Sequence, residues 1–472
     1  MLFSSVVFLF YFLPVVLVLY YLFRNQIPVK NGILLVASLF FYAWGEPWFV
    51  LVMIASIFGN YLLALFVDRY REEKAAKWIL VLAVILNIGL LFVFKYLDFF
   101  IRNISAATGK ELPLTNLALP IGISFFTFQA LSYVVDVYRR QGRVQRNLFY
   151  VALYIAFFPQ LIAGPIVRYS TIDEQIRSRK ETWNKFSVGV CRFIAGLGKK
   201  VLLSNNFAIV ADRIFDNYQQ GGMPVTLAWI GAIAYTMQIL FDFSGYSDMA
   251  IGLGLMFGFK FEENFNYPYI SRSIGEFWRR WHISLSTWFK EYIYFPLGGS
   301  KVKNMDIVIR NMLVVWLCTG FWHGAEWTFV VWGLLNFMFL VIERFTDLEN
   351  RTGHGILRWC YTMFIVNLGW VIFRAENLVY AGNYIRCMFG LDGSGFFSDY
   401  AWMYIREYGI FFVVGAFFCV PIGRRSNYLI VQEKMGTDII DVFYPVIMMG
   451  IFLICVTYLV KGSYNPFIYF NF

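Results

Sequence analysis

Two of the three histidines in this chain lie in tryptophan-rich, otherwise apolar surroundings. His282 is in FWRRWHISLSTW (277–288) and His323 is in TGFWHGAEW (319–327). An imidazole can accept or release a proton near neutral pH, and a titratable group at membrane depth is rare and usually functional. The two histidines are therefore the predicted catalytic pair. His354, between charged residues in RTGHG (351–355), is interpreted as an ordinary loop residue.

The setting of His323 makes it the stronger candidate. It lies in an uncharged segment, 311–325, that leads into the apolar run 327–342. Gly320 and Gly324 would let backbone or a ligand approach closely, and Glu326 could pair with the imidazole. The alternative is a neutral histidine satisfied by a backbone carbonyl.

His282 has a basic and aromatic neighbourhood. If the segment is one helix, Trp278, Trp281 and Trp288 fall near one face with Leu285. Such a cluster could instead anchor a helix at headgroup level. The nearby basic residues Arg279, Arg280 and Lys290 could bind phosphates of a donor substrate. The positive-inside bias also predicts basic residues at this place.

A third group of polar residues interrupts an apolar stretch at FDFSGYSD (241–248). Carboxylates in such a place need partners. The favoured interpretation is a scaffold held by ion pairs, and the alternative is a polar lining of the reaction chamber. The candidate chamber residues are Asp242, Ser244, Tyr246, Ser247, Asp248, Asn311 and Glu326.

Composition places these residues in a membrane protein. The 472 residues are 59% hydrophobic, 21% aromatic and 15% charged, which is more apolar surface than a soluble fold of this size buries. Uncharged runs such as 2–23, 49–66, 78–94, 327–342 and 442–460 approach or reach the length that crosses a bilayer. We predict an all-α polytopic protein with about eleven spans, the first being a retained helix rather than a cleaved signal. A single domain, 1–472, is expected, with a catalytic core at about 120–345.

Charge distribution predicts the topology. Basic loops at 68–77, 139–146, 344–358 and 424–434 are expected to be cytoplasmic, whereas 103–116, 217–223 and 391–400 face outward. Two segments break this pattern. Segment 147–167 contains Pro159 and Pro165, which predict a broken re-entrant element. Segment 260–310 is expected to dip into the membrane from the cytoplasmic side.

Several other chemistries find no support. The net charge of +10 is spread over short loops and follows from the positive-inside bias, so no nucleic-acid partner is expected. There is no GxGxxG after a strand, no GxxxxGK[ST], no HExxH and no GxSxG, and six scattered cysteines give no metal-like spacing. Transport remains the open alternative, although no inverted halves are detectable.

Four motifs carry a resemblance to a known family. They are FDFSGYSDMAIGLGLMFG (241–258), NFNYPYISRSIGEFWRRWHISLSTWFKEYIYFPLGG (264–299), GFWHGAEWTFVVWG (320–333) and PFIYFNF (466–472). Weaker similarity includes LPIGISFFTFQALSY (119–133) and FFPQLIAGPIVR (157–168) and extends over essentially the whole chain. The chain resembles the membrane-bound O-acyltransferase (MBOAT) superfamily, specifically the bacterial branch with the alginate and peptidoglycan O-acetyltransferase membrane subunits.

The resemblance implies a ring of helices around a central tunnel. His323 matches the family's essential buried histidine, and His282 matches a second active-site position that is asparagine in many eukaryotic members. One departure is Leu334-Leu335-Asn336, where some alginate-type members carry a further histidine.

The same resemblance implies an acetyltransferase of a bacterial inner (plasma) membrane. The donor would be acetyl-CoA, with no permanently bound cofactor or metal. An extracytoplasmic, esterase-like (SGNH) partner protein would pass the acetyl group to a polysaccharide, and membrane lipids would surround the chain. D-alanyl transfer to teichoic acid and transport of an acyl or acetyl group remain alternatives.

Overall fold

The structure is a computed structural model that describes residues 1–472 except 219–221, 303, 350, 352, 423–438, 463 and 469–472. The predicted basic loop 424–434 and the last four residues of PFIYFNF lie outside the described residues. Helices dominate the described part of the chain, which contains no β-strand.

Within the described residues, nine helices are long and apolar enough to cross a membrane, and two shorter apolar helices, Phe8–Leu22 and Ile123–Tyr138, accompany them. This confirms the predicted all-α polytopic fold, and the chain is a multi-pass membrane protein. The nine candidate spans are Ile27–Gly45, Phe49–Arg69, Lys74–Thr108, Val225–Met256, Met305–His323, Trp327–Thr346, Gly355–Arg374, Asp399–Phe418 and Phe443–Val460.

The chain divides into two compact units, of which the first comprises 1–193 and 249–262. A π-helical turn, Phe8–Phe12, precedes its first helix, and a second one, Phe92–Tyr96, joins α4 to α5. Its helices are α1 (Leu13–Leu22), α2 (Ile27–Gly45), α3 (Phe49–Arg69), α4 (Lys74–Leu91), α5 (Leu97–Thr108), α6 (Ile123–Tyr138), α7 (Leu148–Ala156), α8 (Phe158–Leu161), α9 (Tyr169–Arg177) and most of α10 (Trp183–Gly198).

The predicted break in segment 147–167 is confirmed. Helix α7 ends at Ala156 because Phe157 adopts a non-helical conformation, and the four-residue helix α8 follows with Pro159 in its first turn. Proline is accepted in the first turn of a helix, where its missing N–H has no helical partner to lose.

The second unit comprises 194–248 and 263–472 and contains every residue of the predicted site. It includes π-helical turns at Lys199–Ser204 and Lys290–Tyr294 and a 3₁₀ turn at Pro268–Ile270. Its helices are α11 (Asn205–Asn217), α12 (Val225–Met256, of which the last eight residues belong to the first unit), α13 (Ile274–Arg280), α14 (Ile283–Phe289), α15 (Met305–His323), α16 (Trp327–Thr346), α17 (Gly355–Arg374), α18 (Leu378–Met388), α19 (Asp399–Phe418) and α20 (Ile439–Val460).

Glycines let α15 and α16 pack closely. A Cβ on Gly320 would lie 2.6 Å from the carbonyl oxygen of Phe329, and one on Gly333 would lie 2.6 Å from that of Trp316. A Cβ on Gly324 would overlap the Phe329 ring. Small residues permit such close helix contacts in membranes. The neighbouring helix α16 therefore fills the space that Gly320 and Gly324 leave next to His323.

Candidate active site

His323 is the last residue of α15. The helix begins at Met305, where Asn304 caps it by accepting a hydrogen bond from the backbone N–H of Asp306 at 2.9 Å. It ends because Gly324 is extended. The imidazole is therefore at the carbonyl end of a helix, where the negative end of the helix dipole stabilises positive charge on the ring.

Aromatic rings enclose His323, and the residue is 8% exposed. Its ring centroid lies 4.9 Å from that of Trp322, 5.0 Å from Trp332 and 5.1 Å from Phe373, with steeply inclined planes in each case. These rings come from α15, α16 and α17. The surroundings exclude bulk water from most of the imidazole, which strengthens any electrostatic interaction made there.

His282 lies between two short helices. The segment is not one helix: α13 ends at Arg280, α14 begins at Ile283, and His282 itself has φ +45°. A left-handed residue cannot continue a right-handed helix, and for a residue other than glycine it costs roughly 1–2 kcal/mol. Trp278, Trp281 and Trp288 therefore do not share one helix face.

The irregular segment 264–266, which precedes α13 in the chain, stabilises this turn. The backbone N–H of Asn266 donates to the carbonyl of Arg280 at 2.9 Å, and that of Ile283 donates to the carbonyl of Asn264 at 3.0 Å. The two bonds bracket His282 and offset the cost of its backbone conformation.

The His282 side chain is almost completely buried. Its Nδ1 lies 3.2 Å from Oδ1 of Asn264, and its ring meets Phe243 edge-on at 4.6 Å. Burial lowers the pKa of His282 to about 3, because the charged imidazolium would be removed from water. The residue lies outside the nine candidate spans and is neutral at physiological pH.

Trp322 connects the two histidines. Its ring centroid lies 5.9 Å from that of His282 and 4.9 Å from that of His323. The distance between the two imidazole centroids therefore cannot exceed the sum of these two centroid distances. The structure therefore places both histidines of the predicted pair next to the same indole ring.

Asp242 is part of a buried ion pair that sequence analysis did not identify. Lys200 Nζ lies 2.6 Å from Asp242 Oδ1, and the side chains are 3% and 1% exposed. The lysine also donates to the carbonyl of Pro466, while Asp242 Oδ2 accepts from the backbone N–H of Ile468 at 2.9 Å. The pair therefore fastens the segment that leads to the C-terminus.

The other polar residues of this helix are also engaged. Asp248 forms an ion pair with Lys199 at 2.6 Å, and the ring of Tyr246 lies 5.0 Å from that of Phe467. Ser244 is buried in the same helix. These contacts fit the favoured scaffold interpretation of the 241–248 cluster.

Asn311 holds a loop, and Glu326 lies close to His323 in the sequence. Asn311 Nδ2 donates to the carbonyls of Leu297 and Gly299 at 3.0 and 3.1 Å and so holds the loop before α15. Glu326 is half-buried and immediately precedes α16, three residues after His323. The proposed pairing of Glu326 with His323 stays a prediction.

The three basic residues predicted to bind donor phosphates already have partners. Arg279 pairs with Glu349, Arg280 pairs with Glu276 at 3.0 Å, and Lys290 lies over the Phe295 ring at 5.6 Å. The two ion pairs are at least partly exposed, so they can open at little cost. Phosphate binding by these residues stays a prediction.

Sequence analysis missed two further residues that shape the site. Asn264 contacts the catalytic candidate His282 directly, and its only signal was its place in the family motif at 264–299. Glu343 of α16 accepts the backbone N–H groups of Ile274 and Gly275 at 2.6 and 2.9 Å and thereby caps α13. Asn336, at the position where the sequence departs from some alginate-type members, accepts a hydrogen bond from Trp278 Nε1 at 3.0 Å.

In the described residues, no group of three or more His, Cys, Asp or Glu could hold a metal ion.

Comparison with known proteins identifies the family of this site. The profile of MBOAT, the membrane-bound O-acyltransferase family, matches residues 36–381, which include both histidines. The chain belongs to this family and is an acyltransferase.

Two of the most similar relatives are acetylating proteins of bacteria. The probable alginate O-acetylase AlgI of Pseudomonas putida is 41% identical over 495 aligned positions that cover all of both chains. The peptidoglycan O-acetyltransferase of Helicobacter pylori is 39% identical over 83% of this chain and 80% of its own. A weaker similarity, 29% identity over 60% of this chain and 72% of the other, extends to the teichoic acid D-alanyltransferase of Bacillus subtilis.

Proposed function

We propose that this protein transfers an acetyl group from a cytoplasmic thioester, acetyl-CoA, towards O-acetylation of an extracytoplasmic polysaccharide. The observation that carries the proposal is the full-length similarity to an alginate O-acetylase combined with a buried histidine pair on one indole. The membrane in which it acts is the bacterial inner or plasma membrane.

His323 is the proposed general base. It removes the proton of the attacking hydroxyl as that oxygen bonds to the acetyl carbonyl carbon, and the carbon–sulfur bond then breaks to release the CoA thiol. The proton held by the imidazole passes to the leaving sulfur, so the reaction is balanced. The helix end next to His323 supports the transient imidazolium.

His282 is the proposed supporting group. It either holds the thioester carbonyl or orients the acceptor, and both roles require an imidazole fixed in direction. The hydrogen bond to Asn264 and the contact with Phe243 supply that fixation.

The donor phosphates are assigned to Arg279, Arg280 and Lys290. Guanidinium and ammonium groups bind phosphates by charge-assisted hydrogen bonds. The exposed pairing of Arg279 with Glu349 leaves this guanidinium able to exchange one anionic partner for another.

An extracytoplasmic partner of the esterase-like (SGNH) class is proposed to complete the transfer. It would receive the acetyl group from this protein and place it on the polymer. A search for this partner by crosslinking in membranes, followed by mass spectrometry, tests this step: an extracytoplasmic hydrolase-like protein should be captured, and its absence would contradict the relay.

The experiment that tests the function is CoA release by purified protein in liposomes supplied with radiolabelled acetyl-CoA and with a polysaccharide whose hydroxyl groups can accept the acetyl group. His323→Ala should reduce release by about 10²–10⁴-fold, the usual contribution of a positioned base. His354→Asn is a matched control, because this histidine is exposed, has φ +47°, and asparagine tolerates that backbone. Full activity in His323→Ala would remove the residue from the base role.

The same experiment separates the alternatives. A transporter would carry label into the liposomes without thioester cleavage, which would overturn the proposed chemistry. D-alanyl transfer is favoured only by the weaker similarity to a teichoic acid D-alanyltransferase; it predicts release from a D-alanyl thioester and none from acetyl-CoA.

A further inference from the structure

The side-chain amide of Asn264 has only one possible orientation. Its Oδ1 lies 3.2 Å from the backbone nitrogen of Ser284, which can only donate, so this atom is the amide oxygen. Its Nδ2 correspondingly donates to Ser247 Oγ at 3.0 Å. Asn264 is fully buried, and these contacts prevent the amide from turning over.

The fixed amide sets the tautomer of His282. The amide oxygen that faces Nδ1 at 3.2 Å is an acceptor, so Nδ1 has to carry the hydrogen. Ser284 adds to the same oxygen through its hydroxyl, which donates at 2.9 Å. In the neutral ring, the other nitrogen then bears a lone pair and no hydrogen.

That second nitrogen is buried without a hydrogen-bond partner among the described residues. His282 Nε2 is one of the buried side-chain polar atoms that no described donor reaches. An unsatisfied buried polar atom costs about 1–3 kcal/mol, and such atoms in a native fold call for an explanation. A hydrogen-bond donor supplied by a substrate is the explanation that the site chemistry offers.

We propose that Asn264 is a positioning residue that holds His282 as the Nδ1–H tautomer, so that Nε2 accepts a hydrogen bond from a neutral O–H or N–H donor of a bound substrate. The inference rests on the proposed function for the identity of the substrates. The proton that leaves the attacking hydroxyl goes to His323, and the donor bound by Nε2 is a second one. It is either a hydroxyl on the acceptor or an amide N–H on the arm of acetyl-CoA.

The consequence is that one of the two roles that were open for His282 is excluded. An imidazole that presents a lone pair repels a carbonyl oxygen and cannot stabilise an oxyanion. His282 therefore orients a substrate and does not hold the thioester carbonyl. Any oxyanion stabilisation has to come from another group.

The decisive measurement is nitrogen NMR of the full-length protein in liposomes with ¹⁵N-labelled histidine. Because the chain has only three histidines, His282→Asn and His354→Asn suffice to assign the resonances. We expect His282 to show a protonated Nδ1 and an unprotonated Nε2 at neutral pH. A protonated Nε2 in the wild-type protein would overturn the proposal without any need for a variant.

Variants of Asn264 test the positioning role. Asn264→Ala should shift His282 towards the Nε2–H tautomer and reduce CoA release by about 10- to 10⁴-fold, the range seen when the partner that orients a functional histidine is lost. Asn264→Asp keeps an acceptor oxygen and should restore the Nδ1–H tautomer and most of the activity. Ser247→Ala, which removes only the partner of Nδ2, is the matched control and should keep the tautomer.

Kinetics identify the source of the bound donor. A raised KM for acetyl-CoA in Asn264→Ala supports the amide N–H of the donor, and a lowered kcat at unchanged KM supports a hydroxyl of the acceptor. Unchanged activity in a variant with the altered tautomer would contradict the proposal. Because the NMR readout needs no turnover, an Nδ1–H tautomer in a protein that releases no CoA would refute the proposed function and leave the inference on the tautomer intact.

Discussion

The buried ion pair between Lys200 and Asp242 makes a sharp prediction for stability. With side chains 3% and 1% exposed and 2.6 Å between Nζ and Oδ1, neither charge can be hydrated when the other is removed. Breaking a buried pair by removing one partner typically costs about 3–5 kcal/mol. We therefore expect Asp242→Asn and Lys200→Met each to lower the free energy of unfolding by an amount in that range.

The double variant separates charge pairing from packing. Removing both charges leaves no isolated ion, and the main remaining loss is the lysine's hydrogen bond to the carbonyl of Pro466, about 1 kcal/mol. Lys200→Met/Asp242→Asn should therefore be more stable than either single variant.

The assay is tryptophan fluorescence during unfolding in mixed micelles as the fraction of denaturing detergent rises. The control is Lys199→Met/Asp248→Asn, which removes an adjacent pair with side chains 32% and 18% exposed and should change stability by about 1 kcal/mol or less. Additive losses in the double variant, or single variants that behave like this control, would refute the assignment of Asp242 to the scaffold.

Three further predictions concern the site and its supports. Gly320→Ala should sharply lower the yield of folded protein, because its Cβ would lie 2.6 Å from the carbonyl oxygen of Phe329. The control Gly409→Ala should not lower the yield, because no atom lies within 4 Å of the added Cβ, and equal yields would contradict the close packing of α15 and α16. Arg279→Gln should raise the KM for acetyl-CoA and leave stability within about 1 kcal/mol, since the pair with Glu349 is exposed, and an unchanged KM would remove this residue from the donor site. His282 has a pKa of about 3 in the folded protein and an ordinary value of 6.5 in the unfolded chain, so on acidification the unfolded chain takes up the proton first. The free energy of unfolding should therefore fall as the pH drops from 6.5 towards 3, and His282 should cause no pH dependence above 6.5. His282→Asn should lack this acid-dependent loss of stability.

The fold class was predictable from sequence because apolar runs of bilayer length leave few alternatives. The break at Phe157 was also predictable, since Pro159 follows two residues later. The turn at His282 was not predictable, because nothing local ends α13 there. The left-handed conformation depends on backbone hydrogen bonds with Asn264, which accepts, and Asn266, which donates, and these residues lie eighteen and sixteen positions earlier.

In the candidate site, too, some features were predictable from the local sequence and others depend on distant residues. Residue type and apolar surroundings selected His323 as a candidate, whereas for His282 an anchoring role stayed open until the family motifs were considered. The partners of the polar residues were out of reach, because Lys200 meets Asp242 and Glu343 caps α13 only after distant helices have packed. A sequence shows which buried polar groups need partners, and tertiary structure decides which residues provide them.

The proposed function requires His323 for the transfer of acetyl groups to an extracytoplasmic polymer. The most direct measurement is the acetyl ester content of surface polysaccharide in a deletion strain complemented with the wild-type gene, His323→Ala or His354→Asn. We expect the esters to disappear on deletion, to return with the wild type and with His354→Asn, and to stay absent with His323→Ala at equal membrane expression. Esters that persist in the deletion strain, or that return with His323→Ala, would contradict it.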